Sequence, residues 1–300
     1  MSVEVEVRPP SPYRLPSYGG EDGVMRVERG VTSRLLHVEG YHPVLVRAWE
    51  PGGGRVALRA EAVDPLSVSA PLLGRGAGVS KAGRAHLDLA VERMRFALGV
   101  DDDLGEFFHR FRGDPLLGPL IRRRPYLRPR RRPWPWEALA WAVVKQLIES
   151  GRAARIQRRI VGRWGARLGP GRGSLRDVPA PELIAGRAPA ELESMGLALK
   201  RALALRAVAG DVAAGRCDPA QAEADRRLLA TREIGPWTVQ CLGLYGRGDA
   251  DSLPAGDLIY LKLVGRLARL GRRATIEEVE EFFAPYAPFR GLAGAWMALA

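Results

Sequence analysis

From Val3 to roughly Leu66 apolar and polar residues alternate in short β-rich pieces: Val24-Met25-Arg26-Val27, Leu35-Leu36-His37-Val38, Val44 to Trp49 and Arg55 to Ala60. A period of two puts one face of each piece on a core. Between the last two lies Glu50-Pro51-Gly52-Gly53-Gly54, a strong turn signal, so an antiparallel sheet is expected. From Val79 to Gly99 the apolar positions recur at helical spacing, which predicts a helix covering one face of that sheet. The intervening Leu73-Gly74-Arg75-Gly76-Ala77-Gly78 lacks the spacing and Lys of a phosphate-binding loop and reads as a plain connection. Asp101-Asp102-Asp103 stands before a helix expected over Leu104 to Arg112. Adjacent side chains diverge at a helix start, which suits a cap better than a metal site.

Between Ile121 and Pro133 the pattern breaks. Arg122, Arg123, Arg124, Arg128, Arg130, Arg131 and Arg132 are interrupted by Pro125, Pro129 and Pro133. The prolines forbid a regular helix, so an extended linker of dense positive charge is expected, either a solvated tether or a DNA-backbone contact. Past it the spacing is helical to the end: about 136–149, 153–164, 181–185, 189–195, 200–214, 218–229, 236–245, 257–270, 276–283 and 291–299. Gly271 closes one of these, and Thr275 with Glu278 forms a capping box opening the next. The fold class is α+β: a small N-terminal antiparallel sheet domain, residues 1–95, and a mainly α-helical domain, residues 96–300.

Within the helical part Glu233-Ile234-Gly235-Pro236 separates two apolar periodic segments. Gly235 is free to take φ > 0 and Pro236 suits the first position of a new helix, which predicts a helix–hairpin–helix near 223–246. The unpaired amides and positive dipole end of the helix from Pro236 would face a phosphate. Further on, Leu253-Pro254-Ala255-Gly256-Asp257-Leu258 sets one acid at the start of an apolar helix, where its plainest role is an N-cap.

Composition narrows the partners. A formal charge of +12 and a pI near 10.4 favour a polyanion, nucleic acid or an acidic membrane surface. Only Lys81, Lys145, Lys200 and Lys262 are lysines, so Arg supplies nearly all the charge. Two cysteines, Cys217 and Cys241, make a disulfide framework unexpected and fit a reducing compartment. No run of eighteen apolar residues appears and the N-terminal stretch has no leader pattern, so no membrane association and a cytoplasmic location are expected.

The order hairpin, short helix, loop, Pro-x-x-Asp, carried by Ile234-Gly235-Pro236-Trp237-Thr238 and Leu253 to Leu258, resembles the helix–hairpin–helix DNA glycosylases of the DNA-3-methyladenine glycosylase II type. The likeness extends to Pro135 to Ala140 and Lys145-Gln146-Leu147-Ile148, and spans roughly residues 96–300. Two departures carry negative charge: Glu233 where the family usually has Gly, and Glu149 where a small polar residue is usual.

This resemblance implies a monofunctional glycosylase of base excision repair that flips out alkylated purines and hydrolyses the N-glycosidic bond. Cleavage builds positive charge on the sugar, which one carboxylate stabilises, and a base alkylated at a ring nitrogen leaves without a general acid. Asp257 is the matching acid, with Asp249 and Asp251 as fallbacks. Trp237 stands where strand-cutting relatives carry a Schiff-base Lys, and no Lys lies between Lys200 and Lys262. Trp237 would stack on a cationic base, with Tyr245 and Trp296 as further pocket residues or core packing. Leu147 matches the wedge that fills the gap left by the flipped base, and Gln146 is structural or contacts DNA nearby. Ile234, Gly235 and Thr238 are the hairpin's DNA-binding residues. The implied partner is double-stranded DNA with damaged bases, bound by a monomer. No cofactor or metal site is expected, beyond a monovalent cation at the hairpin; two cysteines are too few for the iron–sulfur cluster of some relatives. Alternatives are a non-catalytic helix–hairpin–helix DNA-binding protein and an oxidised-purine glycosylase. No compact recognition-helix module points to a transcription regulator.

Overall fold

A computed structural model describes residues 1–38, 41–69 and 81–299. The chain opens with β1 (Ser2–Val7), in which Val3, Val5 and Val7 alternate with glutamates and pack against the sheet's core. β2 (Met25–Glu28), β3 (Val31–Val38), β4 (His42–Gly52) and β5 (Arg55–Ala62) follow, and the five strands run antiparallel in the order β1-β5-β4-β3-β2. The expected turn joins β4 to β5: Gly52, Gly53 and Gly54 have φ of 109°, 62° and 68°, a left-handed run that side chains with a Cβ resist. The Gly-rich stretch 73–78 lies outside the described residues. α1 (Arg84–Leu98) covers the sheet through Leu87, Ala90, Val91, Met94 and Leu98, spaced three and four apart. Because this core continues through Leu98 and Val100, a domain boundary at 95/96 falls inside α1.

The helices gather around two further cores. One holds α4 (Pro135–Lys145), α5 (Ser150–Trp164), α8 (Leu199–Ala213) and the short α6 (Pro181–Ala185) and α7 (Pro189–Ser194), with Leu139, Val143, Ile160, Leu192, Leu205 and Val208 at its centre. The other is aromatic. It joins α2 (Gly105–Phe111) and α3 (Leu117–Arg123) to α11 (Leu258–Leu267), α12 (Ile276–Phe283) and α13 (Arg290–Ala298) through Phe107, Phe111, Tyr260, Phe283 and Trp296. A minor sheet of β6 (Val68–Ser69), β7 (Arg167–Leu168) and β8 (Leu175–Arg176) ties the segment after α5 to the N-terminal part. The capping box at Thr275 and Glu278 forms as expected. No described helix is long and apolar enough to cross a membrane.

The arginine run is not a free, extended tether. Its first part is helical, as α3, and the rest is pinned to the protein. Arg128 donates to the Pro12 carbonyl at 3.1 Å, Arg130 to Gly19 at 3.1 Å while stacking on Tyr18, and Arg131 to Phe96 at 2.9 Å. Arg132 pairs with Asp22 and with Glu137. Carbonyls and acids of the N-terminal part therefore use up much of the charge that the sequence offered to solvent or DNA. Asp102 holds Arg131 and Asp101 holds Arg95; the N-cap of α2 is Leu104, and Asp103 before it accepts from the Gly105 amide at 2.8 Å.

Beneath this clamp lies a buried ionic network between sheet and helices. Arg34 of β3 donates to Glu137 of α4 at 2.6 Å and to Asp177 at 3.2 Å, and the indole of Trp141 donates to Asp22 at 2.9 Å. Burial pushes both aspartates up, but their partners reverse this: Arg132 and Arg34 hold Asp22 low, and the hydrogen bond to His37 with the charge of Arg34 holds Asp177 low.

Candidate active site and nucleic-acid interface

α9 (Ala224–Ala230) and α10 (Pro236–Leu242) form the expected hairpin, with Pro236 in the first turn of α10. Its left-handed residue is not the expected one. Gly235 is extended, φ −112° and ψ 179°, because it is the N-cap of α10, and N-caps take extended backbone. The chain reverses two residues earlier, at Glu233, whose φ is 68°. That position favours Gly, and a Cβ there costs about 1–2 kcal/mol. The cost is offset by Gln146, whose amide donates to the Glu233 carbonyl at 2.9 Å and to Thr238 Oγ1 at 3.0 Å. The Glu233 carboxylate turns toward Lys200 and Arg232, 3.9 and 3.7 Å away, which tempers the charge the sequence had set against a phosphate.

Two of the hairpin's candidate DNA residues point inward. Thr238 is 1% exposed and serves as the Gln146 acceptor, and Ile234 is 5% exposed in the α4–α8 core. Their side chains hold the turn in shape. Among the described residues the Gly235 and Trp237 amides have no acceptor, so they are the groups left to meet an anion.

α4 ends at Lys145, short of the 149 expected, because Gln146 leaves helical geometry and Leu147 has φ 53°. The reversal throws the Leu147 side chain clear of the protein, at 102% exposure. An isolated leucine held fully in solvent on a left-handed backbone has no packing role here. Glu149 is exposed and precedes α5 without capping it.

Asp257 caps α11, its Oδ1 accepting the Ile259 amide at 3.0 Å, and among the described residues no cation pairs with it. The fallback acids are committed elsewhere: Asp251 is bound by the Arg290 guanidinium, and Asp249 accepts the Asp251 amide. The half-buried Trp237 ring lies beside the loop that precedes Asp257, since a Cβ on Gly256 would touch it at 3.8 Å. α10 belongs to the α4–α8 core through Leu242 and α11 to the aromatic core through Tyr260, and the Gly256 backbone just before Asp257 borders the Trp237 ring.

One turn after Trp237, Cys241 adds a buried thiol that burial pushes well up; the Asp257 charge acts in the same direction and Lys145 against it. Tyr245 lies in the π-helical turn Gly243–Arg247 that continues α10, and burial followed by nearby Cys241 and Asp257 raises its phenol. Tyr245 packs against the α4–α8 core. Trp296 is core: it is fully buried between Phe107 and Phe108, packing that no base can enter. The sequence reading missed Cys241, Tyr260 and Lys145. Cys241 was legible as the residue four beyond Trp237 on one helix face; the long-range approach of Lys145 left no local signal. Among the described residues no cluster of His, Cys, Asp and Glu is placed to hold a metal.

No family model matches the chain. It is 24% identical over 200 residues to the DNA-3-methyladenine glycosylase of Bacillus subtilis (strain 168), covering 65% of this chain and 66% of that protein. It is 28% identical over 208 residues to the probable bifunctional transcriptional activator/DNA repair enzyme AlkA of Mycobacterium tuberculosis (strain H37Rv), covering 68% of this chain and 41% of that protein. The chain thus spans about two thirds of the first relative and less than half of the second. In structure it is similar to the 3-methyladenine DNA glycosylase from Archaeoglobus fulgidus, with a TM-score of 0.78 at 19% identity over 98% of this chain and 97% of that one. The fold is that of a helix–hairpin–helix DNA glycosylase. The same fold is shared by the 8-oxoguanine glycosylase/lyase of Clostridium acetobutylicum, with a TM-score of 0.62 at 13% identity over 91% of this chain and 97% of that one, whereas the similarity in sequence is to DNA-3-methyladenine glycosylase and AlkA.

Proposed function

We propose that the chain is a monofunctional DNA glycosylase of base excision repair, which extrudes alkylated purines of the 3-methyladenine type from duplex DNA and hydrolyses the N-glycosidic bond. The observation that carries this is Asp257, a carboxylate with no cation of its own, beside the Trp237 ring. As the glycosidic bond lengthens, positive charge grows on the sugar, and a carboxylate not already neutralised by Arg or Lys is free to stabilise it and to orient water. An alkylated base departs neutral, so the pocket needs no acid to protonate it. Trp237 offers it a ring face, worth about 0.5–2 kcal/mol to a cation.

The rest of the surface serves extrusion. Leu147 is free to enter the stack where the base has left, and Gln146 ties that wedge to the hairpin, so wedge and phosphate-binding amides move as one piece. The chemistry uses no cofactor. A monovalent cation at the hairpin would be held by main-chain carbonyls, because the Glu233 carboxylate is turned to Lys200 and Arg232. The protein acts as a monomer on damaged duplex DNA in the cytoplasm.

The test is incubation of methylated duplex DNA with the protein and identification of the released bases, alongside Asp257→Asn. Asn keeps the cap but not the charge. Release should fall by about 10²–10³ with duplex binding retained. A variant with near-normal release refutes the role of Asp257. Binding without any release by the unaltered protein would favour a non-catalytic helix–hairpin–helix protein.

A further inference from the structure

The residue before Leu147 is held from two sides. The Gln146 side chain donates to the hairpin, to the Glu233 carbonyl at 2.9 Å and to Thr238 Oγ1 at 3.0 Å. Its main-chain carbonyl accepts a hydrogen bond from the guanidinium of Arg201, which stands in the first turn of α8, 55 residues further along the chain. Next to it, Lys200 faces the Glu233 carboxylate at 3.9 Å. Consecutive side chains of α8 thus reach the wedge loop and the hairpin, and Gln146 joins those two to each other. The polar contacts among wedge loop, hairpin and α8 close on themselves.

The last carbonyls of a helix have no partner within it, and α4 shows how each finds one. The Val143 carbonyl takes the Gln146 amide and the Lys145 carbonyl takes the Ile148 amide, both at 3.4 Å, while the Gln146 carbonyl takes Arg201. That carbonyl lies in the same rigid peptide plane as the Leu147 amide, so holding it sets the plane from which Leu147 departs. Leu147 is at φ 53°, a backbone that residues with a Cβ avoid, and no packing of its own side chain keeps it there. The holds on Gln146 do so instead. Arg201 meets this need against a local rule: a cation in the first turn opposes the helix dipole, and α8 carries Lys200 and Arg201 there with no acidic residue. What Arg201 gains in exchange is the carbonyl at the end of α4, where a positive charge is favoured.

We propose that Arg201 is a positioning residue for base extrusion: by holding the Gln146 carbonyl it keeps Leu147 set to enter the base stack, and it acts through that peptide without touching DNA or the extruded base. This rests on the glycosylase reading and on Leu147 as its wedge. A side chain already in its bound conformation gives up less on insertion than one that must first be ordered. Without Arg201 the Gln146–Leu147 peptide is free to rotate and Leu147 to leave the left-handed region, so the wedge is presented less often. The bonds from the Gln146 side chain to the hairpin remain, which confines the loss to the wedge.

The experiment measures single-turnover release of 7-methylguanine from a fully paired duplex and from the same duplex with a gap opposite the lesion. The proteins are the unaltered chain, Arg201→Met, Arg201→Lys, Leu147→Ala and the Arg201→Met, Leu147→Ala double variant. Arg201→Met should slow release from the paired duplex by about tenfold, the scale of a hydrogen bond from a charged donor, and leave release from the gapped duplex close to unaltered. Arg201→Lys keeps a cationic donor and should fall between the two, and it carries the comparison if the Met variant folds poorly. In the double variant the loss of Arg201 should cost nothing beyond Leu147→Ala, since no wedge is left to position; this non-additivity separates positioning from a general weakening. The slope of log affinity on log salt should not change in Arg201→Met, and a slope smaller by about one would make Arg201 a phosphate contact and overturn the proposal. Unchanged release from the paired duplex overturns it too, as does an equal loss on both substrates or a double variant slower than Leu147→Ala by the whole effect of Arg201→Met. Failure of the underlying reading looks different: the unaltered protein releases no base, or Leu147→Ala by itself leaves release from the paired duplex unchanged.

Discussion

Leu147→Ala separates extrusion from folding more cleanly than any other change. The side chain is 102% exposed, so truncating it removes no packing and leaves no cavity. Ala tolerates the φ of 53° no worse than Leu, and the melting temperature should move by no more than a degree or two. On DNA the same three carbons pass from water into the base stack. At about 0.8 kcal/mol per buried carbon, and allowing for incomplete burial, their loss removes about 2 kcal/mol of support for the extruded state. Since about 1.4 kcal/mol is a factor of ten, release from a fully paired duplex should slow roughly thirtyfold. A lesion opposite a gap, where no stacked partner needs replacing, should be released at close to the unaltered rate. The assay is single-turnover base release on both substrates, with a melting curve for each protein. An unchanged rate on paired duplex, or an equal loss on both substrates, refutes the wedge; a large drop in melting temperature refutes its isolation from the core.

Duplex affinity should weaken steeply with salt, as the +12 charge and the free hairpin amides imply, read as the slope of log affinity on log salt; a flat response would remove the electrostatic part of the argument. With Trp237 in place of a hairpin amine, the product should be an intact strand carrying an abasic site, broken only by hot alkali, and borohydride should trap no adduct; one lost in Lys262→Ala or Lys145→Ala would name the nucleophile and end the monofunctional assignment. Stability should be level from pH 7 to about 5 and fall below about 4. The signs agree for Asp22 and Asp177: their folded values lie below the ordinary one, so their contribution is complete above it and disappears as pH drops through the lowered values. A midpoint that already declines between pH 7 and 5 in thermal melts would contradict this. Arg34→Met, which leaves Glu137 with Arg132 alone and Asp177 with His37 and backbone amides, should destabilise by about 3 kcal/mol in denaturant titration, whereas a change below 1 kcal/mol would show that the network does not hold sheet to helices.

Much of the molecule was legible because its signals are local. The β4–β5 turn needs residues that accept left-handed backbone, and three glycines supply them. The Thr275–Glu278 box and the Asp257 cap are satisfied within their own helix starts. Trp237 and Asp257 could be singled out because a short hairpin and a Pro-Gly loop bring them together over few residues. The alternation that starts at Val3 likewise forms a strand, β1.

What the sequence left open was decided by groups distant in the chain. The linker arginines look solvated in one dimension; only the folded sheet puts the carbonyls of Pro12 and Gly19 and the carboxylate of Asp22 within their reach. Gly235 looked like the reversal point because Gly is permissive, but the N-cap requirement of α10 made it extended and moved the reversal to Glu233, where Gln146 binds the carbonyl. The same tertiary contact ends α4 early and projects Leu147 into solvent. Trp296 carries no mark separating a pocket lining from a core; it is core because α2 lays two phenylalanines against it. The bond from Gln146 to the hairpin likewise has no trace in sequence, since helix periodicity fixes which face a residue occupies but not which distant element comes to meet it.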